Sequence, residues 1–461
     1  MSNKIYILAL GLALVLAALC RFWAAPISAG PDVVQFWAFA KVFQIHGLDF
    51  YRYADATAAF FPFKGWGFVY PPIWLLLLGL ALLAAPTSTA PQVIHVIVDR
   101  SLPPGMLIHA IVDSGWQLAM KTPIIVADLA IGCLLYWAVP GSRLRKLLFA
   151  CLWLFHPTSW YESAVFGQFD AVAAAFLLAA IILLERGRDW LAFLLAGLAV
   201  MTKQHTLVPI AVMAVIFARQ MNWQRLASNF AIFAGVVIII SIPFLLTGNF
   251  SAYASSLFLP GQAPGYQIPL VYAFSGIGAL LTYLQEIFGW ATSGLLPFTI
   301  PIMFIAIVAV AVLSYRRTIT LAQGALVGFL ALLSFSYQVN YQYLIVYIPL
   351  ALLVAAQTQY RGERVLTLVL ALLPAVWLWL ADVPSWFNYL NPTSPWVNLI
   401  LARIGLTTSQ LPDYAYVSLA LAIMGLSIAY VVCVFTRWHN STSELPPNLP
   451  LQPRIDAVSL P

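Results

Sequence analysis

Short polar runs in an otherwise apolar chain carry the groups capable of chemistry. Gly30-Pro31-Asp32 follows the first apolar run directly. A carboxylate there lies near a membrane surface and can accept a proton from a hydroxyl group. The plain alternative is a solvated loop Asp, or an N-cap for a helix starting at Val33. Glu162 and the run Phe166-Gly167-Gln168-Phe169-Asp170 join two apolar stretches. Gln168 and Asp170 can hydrogen-bond sugar hydroxyls or hold an acceptor, or can simply open a helix. Lys203-Gln204-His205 forms the apex between two short apolar runs. A lysine there is a compact charge able to neutralise a departing lipid-linked phosphate, unless it only snorkels to the interface. Gln338, Asn340, Tyr341 and Gln342 form a last polar cluster. Lys121 and Asp128 lie about two turns apart on one helix. Ionisable groups at that depth are functional candidates or structural ion pairs. His156 reads as a packed core histidine.

Aromatic residues gather between the first two of these runs: Trp37, Tyr51, Tyr53, Phe60, Phe61, Phe63, Trp66, Phe68 and Tyr70. Their faces can stack on sugar rings, but they also build ordinary interfacial belts. Pro71 and Pro72 suit the first turn of a short apolar helix. The six histidines show no H-x-x-x-H pair, and no D-x-D, Walker loop or G-x-G-x-x-G follows a strand pattern. Neither a metal nor another cofactor is expected, and nucleotide-driven chemistry is disfavoured.

Composition says where such residues must work. Of 461 residues, 62% are hydrophobic and 8% charged, against about 25% charged in soluble domains. The mean hydropathy is +0.90. So few charges cannot cover a soluble surface, and the chain reads as an all-α, polytopic integral membrane protein. Its net charge of +6 comes from short loops rather than one patch, which excludes nucleic acid as a partner.

Basic residues in short loops mark the cytoplasmic side: Arg143/Arg145/Lys146, Arg186/Arg188, Arg219/Arg225, Arg316/Arg317, Arg361/Arg364 and Arg437. Placing all of them inside predicts spans at 5–24, 120–140, 147–161, 171–185, 190–202, 206–218, 229–246, 295–313, 321–337, 343–357, 365–381 and 414–435. That is about twelve crossings with both termini cytoplasmic. Segments 73–85 and 271–287 then stay outside, the first as a short interfacial or re-entrant helix. The long first external loop, 25–119, carries interfacial helices. Long loops tend to carry function, so the working face is external. The first apolar run lacks an A-x-A site and reads as an uncleaved span. The four cysteines lie in apolar runs and read as small core hydrophobes. The polar, Pro-rich tail, 438–461, reads as disordered and cytoplasmic. Short loops favour a bacterial plasma membrane over the endoplasmic reticulum.

At the residues above, the chain resembles the GT-C superfamily of polytopic glycosyltransferases. Within it, the resemblance is to the dolichyl-phosphate-glucose-dependent glucosyltransferases of the N-glycan pathway and their bacterial relatives. Asp32, with Trp37 downstream, looks like their catalytic-loop acid. Trp66-Gly67 and Tyr70-Pro71-Pro72 resemble their Trp-Gly-Leu-Asp-Tyr-Pro-Pro run, with Val69 in place of the Asp. Lys121 to Asp128 resembles the basic residue and Asp opening their next span. Gly167-Gln168-Phe169-Asp170 resembles His-Phe-Gln-Tyr-Asn, and Lys203-Gln204 their Lys-Gln. Gln338 to Tyr343 occupies the place of their Val-His-Glu-Lys without its His or Lys. The likeness covers roughly 1–220, a GT-C module, followed by a variable membrane module at 221–437.

The resemblance implies transfer of a hexose from a polyprenyl-phosphate donor to a hydroxyl of a glycan, lipid or protein acceptor at the external face, with inversion. Asp32 would be the general base. Trp37, Trp66, Tyr70, Gln168, Asp170, Gln338 and Asn340 would contact substrate. Lys121, Lys203, Gln204 and His205 would bind the lipid phosphate. A polyprenyl-phosphate-mannose-dependent mannosyltransferase of another GT-C branch and a non-enzymatic lipid or sugar transporter are the alternatives. A transporter should hold its ionisable residues near the membrane midplane.

Overall fold

The computed structural model describes residues 3–28, 30–54, 67–98, 106–220, 222–247, 250–258, 276–336, 339, 341–377 and 413–436. Within them the protein is a bundle of helices. Within the described residues the predicted spans overlap helices, from Asn3–Ala24, Ser114–Ala138 and Arg143–Leu154 through Asp170–Glu185, Asp189–Thr202 and Leu207–Gln220 to Asp413–Thr436. The span 147–161 is broken at Phe155 and His156, and 337 and 378–381 lie outside the described residues. The protein is a multi-pass integral membrane protein.

Length and hydropathy together qualify five helices as spans: Lys4–Ile27, Ser114–Ala138, Trp223–Leu245, Pro297–Arg316 and Val417–Thr436. Asp189–Thr202, Leu321–Phe335 and Leu344–Gln357 are apolar but shorter. The expected count of about twelve crossings is therefore not reached on that measure. Burial explains the two classes. The long helices bear exposed apolar side chains such as Leu8, Ile239, Ile305 and Val432, surface suited to lipid. Leu344–Ala356 is buried on every face, and Asp170–Leu184 and Ala322–Ser334 nearly so. A helix apolar all round belongs in such a centre.

The segment before Ser114 holds two helices that frame the site. Pro31–His46 is buried from Val33 to Ala40 and exposed over its last turn, and Pro72–Ala84 packs against it with Trp74, Leu75 and Leu78 inside. Thirteen residues is short for a span, as expected for 73–85. In the 271–287 stretch, the described part begins a helix, Ile277–Phe288, set against Asp413–Thr436.

The all-helical expectation needs one amendment. Gln92–Val98 and Met106–Ile111 pair antiparallel in the first long loop. The run Gln92-Val-Ile-His-Val-Ile-Val98 and the Pro103-Pro104-Gly105 between the strands carry ordinary strand and turn signals.

Basic residues collect at one end of the bundle. There Arg145 donates to the Ala356 carbonyl at 2.8 Å, Gln357 to Glu185 at 2.9 Å and Arg219 to the Arg317 carbonyl at 2.7 Å. Glu363 accepts from Gln323 at 2.6 Å and Thr358 at 2.5 Å, tying three helices. The polar runs that could do chemistry lie at the other end.

Candidate active site

Asp32 sits in the first turn of Pro31–His46. The cap is Gly30, and no side chain caps this helix. Asp32 is thus no N-cap, as the plain reading of the sequence allowed. Its carboxylate lies at a helix N-terminus, where the backbone dipole favours negative charge. It accepts a hydrogen bond from the Gln168 side-chain amide. Gly30 makes this approach possible. Its N–H donates to the Phe166 carbonyl at 3.2 Å, and a Cβ there would lie 2.0 Å from the Phe166 ring.

Gln168 is aimed by an irregular turn. Tyr161–Phe166 is a π-helix, a form common at functional sites. It closes through Gly167 at φ +81°, the left-handed region that favours glycine. Both Gly167 and Gln168 donate from their backbone N–H to the Glu162 carbonyl, each at 2.9 Å. The helix that follows begins at Asp170, so Gln168 and Asp170 flank a buried Phe169.

Lys203 ends the Asp189–Thr202 helix in extended backbone conformation. Its ammonium pairs with the Asp170 carboxylate at 2.7 Å, with both residues almost fully buried. Three aromatic rings surround the cation: Phe169 at 4.4 Å, Tyr70 at 5.0 Å and Tyr343 at 5.4 Å from centroid to nitrogen. Cation–π attraction to desolvated rings holds such a charge where water cannot. Among the described residues, Asp170 Oδ2 is the only oxygen that Lys203 donates to. The other Asp170 oxygen, Oδ1, has no hydrogen-bond partner on another described residue and lies 3.7 Å from His205 Nε2.

Burial and the Lys203 charge hold His205 well below the usual histidine range. It is a neutral ring packed on Tyr343 at 4.5 Å rather than a cation for a phosphate. Gln204 ties this apex to the segment leading into Tyr70, donating to the Val69 carbonyl at 2.8 Å. Burial pushes Asp32 up to about 6, opposed by the Gln168 hydrogen bond and the Lys203 charge and assisted by Asp170. The two carboxylates and the lysine thus feel one another electrostatically.

Of the residues singled out in the sequence, Asp32, Tyr70, Gln168, Asp170, Lys203, Gln204 and His205 come together. Trp37 is buried and tied elsewhere, its indole donating to Ser88 at 3.3 Å. Trp66, Gln338 and Asn340 lie outside the described residues. Lys121 stands apart from this cluster. Its buried ammonium donates to the carbonyls of Ala25 and Val165 at 3.0 Å, to that of Ser28, and to Gln117 Oε1 at 3.4 Å. Asp128 pairs with Arg21 at 2.6 Å, a partner the sequence reading did not name. His156 is the packed histidine expected, its ring 2.9 Å from the Ala371 carbonyl. Phe169 and Tyr343 were missed as faces for Lys203, since only the fold brings them to it. Among the described residues no group of three or more His, Cys, Asp or Glu could hold a metal ion.

The family model described as glycosyltransferase family 87 matches residues 102–336, just over half of the chain. The match includes Gln168, Asp170 and Lys203, runs across position 220, and begins after Asp32 and Tyr70. Curated proteins offer no match. Among solved structures, the chain is similar to the crystal structure of ArnT from Cupriavidus metallidurans bound to undecaprenyl phosphate. The identity is 15%, 94% of this chain and 77% of that one are covered, and the TM-score is 0.45. A likeness that loose carries no argument.

Proposed function

The chain belongs to glycosyltransferase family 87, and from that membership we propose a GT-C-type hexosyltransferase that uses a polyprenyl-phosphate sugar donor. The observation that carries this reading is the pairing of two devices at one end of the bundle. One is a carboxylate held by Gln168, and the other a lysine held by Asp170. Transfer needs both. The acceptor hydroxyl attacks the anomeric carbon and gives its proton to Asp32. The bond from that carbon to the phosphate oxygen breaks, and the lipid phosphate leaves with the electron pair. Attack opposite the leaving group inverts the anomeric centre.

A pKa of about 6 leaves Asp32 ionised at neutral pH yet basic enough to receive the proton. Lys203 is the cation that offsets charge growing on the phosphate, and its spare N–H donors suit that role. Tyr70 offers a face to the sugar. In this reading Gln204 and His205 shape the apex and leave the phosphate to Lys203. The concentration of arginine at the opposite end supports a site facing outward from a bacterial plasma membrane, with an acceptor in the glycan, lipid or protein class.

The test is sugar transfer from a polyprenyl-phosphate hexose in purified membranes, comparing wild type with Asp32→Asn. The variant keeps the size of the side chain and its place beside Gln168 but removes the base. A loss of about a hundredfold or more, with normal membrane insertion, is expected. Full activity in Asp32→Asn would move the base to Asp170 or Glu162.

A further inference from the structure

Lys121 has no carboxylate partner among the described residues, and it is completely buried. Besides Gln117 on its own helix, its contacts fall on two separate segments. Ala25 and Ser28 belong to the link that leads into Asp32, and Val165 to the π-helix that leads into Gln168. The same joint is stitched by weaker bonds. Gln117, one turn before Lys121, donates to the carbonyls of Pro26 at 3.4 Å and Val112 at 3.3 Å. The Ser28 hydroxyl donates to the Ala24 carbonyl at 2.7 Å and reaches that of Ala164 at 3.4 Å. Gly167 rests directly on the lysine, since a Cβ there would lie 2.9 Å from Lys121 Cε.

We propose that Lys121 is the positioning residue that locks the Asp32 loop to the Gln168 loop, and so sets the hydrogen bond on which the base depends. The chemistry of the side chain fits this task. Diverging N–H donors on one atom can bind carbonyls from two segments at once. A neutral polar side chain of similar length has fewer donors. An apolar one would leave carbonyls from both segments buried without partners. Lys121 does not touch Asp32; its hydrogen bonds go to backbone carbonyls and to Gln117. Its effect must therefore travel through geometry. The Gln168 bond holds Asp32 down, so loosening the joint must let the carboxyl rise.

The proposal rests on Asp32 as the base, and the experiment separates the two. The transfer rate from a polyprenyl-phosphate hexose is measured against pH in membranes for wild type, Lys121→Met, Gln168→Leu and the double variant. The acid limb should move up by about one pH unit in each single variant, the worth of one hydrogen bond to a charged group. The double variant should show no further shift, because both changes remove the same bond. The rate loss should be greatest on the acid side. An acid limb unmoved in Lys121→Met while Gln168→Leu shifts would overturn the positioning role and leave the base assignment standing. Full activity in Asp32→Asn would instead remove the base assignment itself. If Lys121→Met fails to insert, Gln117→Leu decides. It loosens the same joint more gently, and a smaller upward shift supports the proposal while none rejects it.

Discussion

Two buried carboxylate–cation pairs lie among the described residues, and they are finished to different degrees. Asp128 receives Arg21 at 2.6 Å and Ser163 at 2.7 Å on one oxygen and Ser159 at 2.9 Å on the other. Arg21 also reaches the Leu154 carbonyl at 2.9 Å and Ser159 at 2.7 Å. Every polar atom of that pair has work inside the protein, and the work joins the first helix to the helices around Asp128 and Ser159. Asp170 and Lys203 share a single hydrogen bond. One carboxylate oxygen is left over, and the cation rests on aromatic faces. A saturated buried pair is structure. A buried pair with spare donors and acceptors beside a second carboxylate has capacity for a substrate. Charge burial is equal in the two, so saturation is what tells them apart.

Breaking the comparison is the way to test it. The largest stability effect is expected at Arg21→Met, which strands Asp128 in the core. A loss of ~3–5 kcal/mol should appear as poor yield and early thermal unfolding in detergent. The largest effect on activity after Asp32→Asn belongs to Lys203→Met. Read against a charge-stabilising role, it should cost about a hundredfold in rate. The double variant Lys203→Met with Asp170→Asn should insert and melt like wild type yet stay inactive, because no charge is stranded. Recovered activity in the double variant would reduce the pair to a structural one.

The pH profile gives a smaller but sharper test. The base works ionised, and Asp32 stands at about 6. Activity should therefore be level above that value and fall roughly tenfold per unit below it. A profile flat down to pH 4 would exclude Asp32. The smallest effect is expected at Tyr343→Leu, which removes one of the faces around Lys203. A loss of about 1 kcal/mol, or a few-fold in rate, should leave the pH midpoint in place.

Much of the site could be read in the chain itself. Asp32, Gln168, Asp170 and Lys203 stand out because polar residues are rare in so apolar a sequence, and each ends an apolar run. Their helices were legible for the same reason, from Asp170–Glu185 to Leu344–Gln357. The strand pairing of Gln92–Val98 with Met106–Ile111 was legible too, in a β-branched run and a Pro-Pro-Gly sequence after it, but the abundance of helix masked it. The roles of the lysines were a different matter. Lys121 and Lys203 look alike in sequence, each at the outer edge of an apolar run. One proves to be surrounded by carbonyls and the other by a carboxylate and aromatic rings.

What the amino-acid sequence determined alone is hydropathy and its breaks. These set which segments become helices in a membrane and which residues gather at their ends, since burial in lipid depends on local composition. Partnership was decided only by the tertiary structure. Arg21 meets Asp128 across 107 positions, Lys121 meets Val165 across 44 and Gln168 meets Asp32 across 136. Whether a buried charge is saturated or open depends on how many donors and acceptors the packing brings to it. That number belongs to the surroundings of a residue, and no spacing along the chain contains it.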